Sequence, residues 1–160
     1  MFFRARFKAR HDGGLDFNIA DEERSLIRDL LDQLRELLMG TAASGAVDVS
    51  LRRLYPTAYP DDAELDAEYQ TLMRDELLER RLAALDAVET TLESDRLDQG
   101  QAMAWLTTLN DLRLVLGTSL DVSEDDDLTQ LDPEDPDHRP RAIYHYLGHL
   151  QEEFVQALMP

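Results

Sequence analysis

The chain has 160 residues, 43% of them apolar, with 34 acidic against 16 basic side chains, a net charge of −18 and no cysteine. One domain of this length can bury a core without disulfides or a structural metal, and the missing cysteine excludes a disulfide scaffold, a Cys-based zinc site, an iron–sulfur cluster and any thiol switch. No apolar run is long enough to span a bilayer and the start MFFRARFKAR alternates instead of building a signal core, so the expected compartment is the cytosol.

Residues 1–10 carry +4, against −4 for 11–60, −9 for 61–98 and −9 for 99–160, so a polyanion meets repulsion almost everywhere except at the start. There Arg4, Arg6, Lys8 and Arg10 alternate with Phe3, Ala5, Phe7 and Ala9, which on a strand puts the cations on one face and the apolar set on the other. That face reads as a solvated sheet surface, or as a docking surface for an acidic partner or the chain's own acidic segments. His11–Asp12–Gly13–Gly14 is a turn signal, and Leu15, Phe17 and Ile19 alternate after it, so residues 1–20 are expected to form a β-hairpin.

Asp21 reads as the N-cap of a helix with Leu26, Ile27, Leu30, Leu31, Leu34, Leu37 and Leu38 on one stripe and Gly40 as its stop. Thr41–Gly45 reads as a loop, followed by a short helix capped by Asp48 or Ser50 and ending at Tyr55–Pro56. Tyr55-Pro-Thr-Ala-Tyr-Pro60 must be extended, because each proline pushes its predecessor out of the α region, and its two tyrosines are expected to pack on their own domain. The helical period returns at Asp61 through Leu65, Tyr69 and Leu72, then changes sides by Leu78, Leu82, Leu85 and Leu92. That shift predicts a break near Arg74–Asp75 and two helices.

Gln99–Leu116 is the most apolar segment and is expected to be the central helix, with Ala102, Trp105, Leu109, Leu112 and Leu116 on one stripe and Met103, Leu106, Leu114 and Val115 on the other sides. Asn110, Asp111 and Arg113 would then be partly enclosed and need partners, as a structural polar network or as the lining of a pocket. The run from Glu124 to Asp137 holds eight acids and two prolines and reads as a solvated acidic loop. A calcium loop starting at Asp121 fails, since Asp126 stands where the turn needs glycine and Asp132 where a bidentate glutamate belongs. Pro140 suits the first turn of a last helix with Ile143, Tyr146, Leu147, Leu150, Phe154 and Leu158 on its buried face. His145, His149 and Glu152 share the other face at metal-ligand spacing, but no fourth ligand is evident, so no metal site is expected.

No dinucleotide or phosphate-binding loop, nucleophile elbow or Cys–His pair occurs, so no catalytic or cofactor-binding residue is expected. Three stretches, LRRLYPTAYPDD at 51–62, AWLTTLNDLRLVLGTSLDVSEDD at 104–126 and IYHYLGHLQEEFVQAL at 143–158, resemble an actinobacterial family of domains of unknown function that includes the oxidative-stress transcription regulator AosR. The resemblance implies a small non-enzymatic regulator that acts on a protein partner in the transcription machinery, such as a sigma factor. Redox sensing by disulfide formation does not carry over to a chain without cysteine.

The expected architecture is α+β, mostly α, with an N-terminal β-hairpin packed on a bundle of about five helices in a single domain over 1–160: hairpin 1–20, helical core 21–116, acidic loop 117–139 and C-terminal helix 140–160. The expected function is regulatory protein–protein interaction without direct nucleic-acid or membrane binding, with homodimerisation left open. The alternatives are a direct DNA-binding regulator using the basic hairpin, and a small-ligand or metal-binding protein.

Overall fold

The computed structural model describes residues 6–44, 49–120 and 133–159. Arg4, the calcium-loop positions from Asp121 and most of the acidic run lie outside them. The hairpin forms where the alternation placed it: β1 (Phe7–Ala9) pairs antiparallel with β2 (Leu15–Phe17), with Phe7 opposite Phe17. Its loop closes through the Arg10 N–H donating to the Gly14 carbonyl at 2.9 Å, and Gly13 takes a φ of 89° that L side chains rarely adopt. A third strand, β3 (Arg96–Leu97), pairs with β2 and completes a sheet of order β1-β2-β3. It comes so close that a Cβ on Gly14 would stand 2.3 Å from the Leu97 carbonyl oxygen.

Helix α1 (Asp21–Ser44) buries Ile27, Leu31, Leu34 and Leu38 along the expected stripe. Asp21 is its first helical residue and not its cap; the N–H of the preceding Ala20 donates to the Glu23 carboxylate at 2.9 Å, which satisfies the helix start instead. Nor does the helix stop at Gly40. A glycine ends a helix by turning left-handed, and Gly13 is the positive-φ glycine here, so α1 runs on to Ser44. In place of a short α-helix there is a 3₁₀ turn, Val49–Leu51, continued by i→i+3 bonds to Tyr55, where Pro56 forbids further helix.

The expected break near Arg74–Asp75 is absent, because α2 is one helix, Ala63–Thr91, capped by Asp62 accepting from the Leu65 N–H. Its buried residues, Leu78, Leu85, Val88 and Thr91, all lie in the second half. The first half buries no side chain fully, so its apolar stripe does not have to face the core and the helix continues unbroken. Asp66 accepts from the Ala58 and Tyr59 N–H groups, Gln70 donates to the Pro56 carbonyl, and Tyr59 meets Tyr69 edge-on, which straps the proline-bounded segment onto this half. Tyr55 is buried.

Helix α3 (Gln99–Ser119) opens with a capping box from Asp98 and Gln101. It packs against α1, α2, β3 and α4 (His138–Leu158), as the central helix should, although Met103 stays 52% exposed. Pro140 sits in the first turn of α4, as expected. Among the described residues the bundle thus has four α-helices and a 3₁₀ turn where about five helices were expected, because α2 is undivided. Its heart is aromatic: Phe7, Phe17, Trp105 and Phe154 pack in stacked and tilted pairs with centroids 4.2–6.1 Å apart, joining the inner face of the sheet to α3 and α4. Trp105 donates its indole N–H to the Thr91 hydroxyl at 2.8 Å, so the polar edge of that cluster is satisfied.

Candidate functional site

Three groups of side chains carry the chemistry that the sequence singled out. On the outer face of the sheet, the strand register sets Lys8, Asp16 and Arg96 in a row across β1, β2 and β3. Asp16 accepts from Arg10 at 2.8 Å and lies 3.9 Å from Arg96, while Arg10 also faces Asp12 at 3.5 Å. Arg6 binds Glu23 at the start of α1 and lies 3.8 Å from Glu153 of α4. Tyr146 donates to the same Glu23 oxygen at 3.2 Å, and burial, then the nearby glutamate, raises the pKa of its hydroxyl. Arg6 and Arg10 therefore face the chain's own carboxylates, and the outer face forms a cleft of about 690 Å³ lined by Arg6, Lys8, Asp16, Asn18 and Arg96 among others.

The polar trio of α3 is split. Successive helical residues are 100° apart, so Asp111 and Arg113 leave the helix on nearly opposite sides. Asn110 is exposed and belongs to no enclosed network, which corrects the expectation for it. Asp111 is 5% exposed and lies 3.5 Å from the Arg81 guanidinium of α2. Burial lifts its carboxyl to about 6, against the pull of Arg81. Arg81 also donates to the Leu54 carbonyl at 2.9 Å and stands over the Tyr55 ring, 5.4 Å from its centroid. Burial likewise pushes the Tyr55 hydroxyl upward. Arg113 points the other way, donating to Gln151 of α4 at 2.7 Å with its guanidinium over the Tyr144 ring. Arg81, Tyr144 and Gln151, and the contact of Arg81 with Tyr55, escaped sequence reasoning because each is tied to its partner only by packing between segments.

On α4, His145 is half-buried and His149 exposed, with their Nε2 atoms 3.0 Å apart. Glu152 is exposed and accepts from Gln156 at 3.4 Å. Among the described residues no three His, Asp or Glu side chains gather into a metal-holding cluster, and no helix is long and apolar enough to cross a membrane.

Comparison with known proteins places this arrangement in a family. A Mycobacterium leprae relative bearing the AosR name is 33% identical over 157 residues, covering 81% of this chain and 68% of the relative. Proteins of Mycobacterium bovis and Mycobacterium tuberculosis named oxidative stress regulator AosR are each 30% identical over 181 aligned residues, covering 94% of this chain and 80% of theirs. No solved structure matches the chain. The family model described as a domain of unknown function, DUF2017, matches residues 4–158, and the chain belongs to that family, which also holds the mycobacterial regulators named AosR.

Proposed function

We propose that this protein is a non-enzymatic cytosolic regulator that acts by binding a protein of the transcription machinery, such as a sigma factor, through the first half of α2. The observation that carries the reading is the exposure of Leu72, 79% open to solvent two helical turns from the partly exposed Leu65 on the same face. Glu64, Glu68, Asp75, Glu76 and Glu79 surround these leucines, all exposed. An apolar strip in an acidic frame suits a partner segment with apolar side chains flanked by Arg or Lys, since complementary charge steers encounter while the apolar contact supplies affinity. The names of the mycobacterial relatives support a regulatory role.

A pull-down from native cytosol with the parent and with Leu72→Asp tests this. Recovery of a sigma factor or polymerase subunit by the parent and its loss in the variant is expected. Recovery of a metabolic enzyme instead, or equal recovery by both proteins, would overturn the proposal. Direct DNA binding by the hairpin is the competing reading, and there Arg6 and Arg10 would have to leave Glu23 and Asp16. No sequence-selective mobility shift is expected at physiological salt, whereas a tight shift abolished by replacing Arg4, Arg6, Lys8 and Arg10 would favour DNA.

A further inference from the structure

His145 and His149 stand one turn apart on α4, and the side-chain conformations bring their Nε2 atoms to 3.0 Å with ring centroids 4.5 Å apart and ring planes at 83°. In this state one Nε2–H donates to the lone pair of the other Nε2. Two imidazole nitrogens this close, one turn apart on one helix face, can also turn their lone pairs onto a shared ion. Imidazole nitrogen binds a first-row divalent metal at about 2.0–2.1 Å, so two such ligands at a right angle are roughly 3.0 Å apart and at a tetrahedral angle roughly 3.4 Å.

We propose that His145 and His149 form a two-point chelating site for a late transition-metal ion such as Ni²⁺ or Cu²⁺. Those two ions rank high for imidazole ligands. Binding needs both Nε2 lone pairs, so the ring that donates shifts its proton to Nδ1 and both imidazoles stay neutral. Glu152, the third member of the sequence spacing, pairs with Gln156 and does not join the two rings in a three-ligand cluster. With two protein ligands, the remaining positions are filled by water, which leaves the ion exchangeable. The clip spans the turn that carries the buried Leu147, so occupation holds that turn of α4 in its helical form.

The test is titration of the full chain with NiCl₂ and CuCl₂ by calorimetry and by histidine-ring NMR, in millimolar Mg²⁺ to occupy the carboxylates, which prefer hard ions. One equivalent is expected to bind, with a rise in melting temperature and perturbation of these two rings. His145→Ala and His149→Ala should each lower affinity at least about tenfold and cancel the thermal shift, while Glu152→Gln should bind as the parent does. His149 is exposed, so its replacement leaves the fold intact and keeps the test decisive. Binding that survives both histidine replacements would place the ion elsewhere on the chain and overturn the proposal, as would no response at millimolar nickel.

Discussion

Arg81 on α2 holds its Nε 3.5 Å from a carboxylate oxygen of Asp111 on α3, the carboxylate buried and the arginine side chain 16% exposed. This pair joins the two helices to the turn before Pro56, since the same guanidinium also donates to the Leu54 carbonyl. Removing one partner of an enclosed pair leaves the other charge without compensation. Arg81→Ala is therefore expected to cost about 3–5 kcal/mol near neutral pH, read by urea unfolding. At about pH 5 the loss should shrink, because Asp111 can then take up a proton; an equal loss at both pH values would mean that the pair contributes no charge interaction.

Asp111 also gives the protein a specific pH dependence. Its folded value, about 6, lies above the ordinary 3.8, so the folded state holds the proton more tightly than the unfolded chain. Its contribution to stability is therefore fully present below roughly pH 4 and falls as pH rises towards 6, leaving a penalty of about 3 kcal/mol above that window. Asp111→Asn lacks this titration. The difference in unfolding free energy between variant and parent should move in favour of asparagine by about 2–3 kcal/mol between pH 4 and pH 7, and parallel pH profiles would refute the assignment.

Arg113 is expected to matter less than Arg81. Its partner Gln151 is neutral and the arginine is only half-buried, so Arg113→Ala leaves no enclosed charge behind. Loss of one charge-assisted hydrogen bond and the stacking on Tyr144 predicts about 1–2 kcal/mol. A thermal or urea melt showing a loss as large as that of Arg81→Ala would contradict this ordering.

The Trp105–Thr91 hydrogen bond can be tested by keeping shape and deleting the acceptor. Thr91→Val leaves the buried indole N–H unsatisfied and should destabilise by about 1–3 kcal/mol. In a Trp105→Phe background the same change should cost distinctly less, since no donor is then left unmatched. Additive losses would show that the bond contributes little beyond packing.

The sequence by itself determined the elements whose signal is local. The alternation of Leu15, Phe17 and Ile19, the stripe of α1 and the stripe of Trp105 and Leu109 record which face each element buries, because period and burial are two views of one geometry. Histidine spacing on α4 was legible in the same way. What only the tertiary structure decided depends on pairing between distant segments. β3 is two residues long, too short to show a period, and exists because Leu97 and Arg96 meet Leu15 and Asp16. The continuity of α2 followed from its first half burying no side chain fully, which no window of sequence reveals. Asp111 turned towards Arg81 and Arg113 towards Gln151 because α2 and α4 pack on different sides of α3, and the partner of a charged side chain is set by which helix occupies that side.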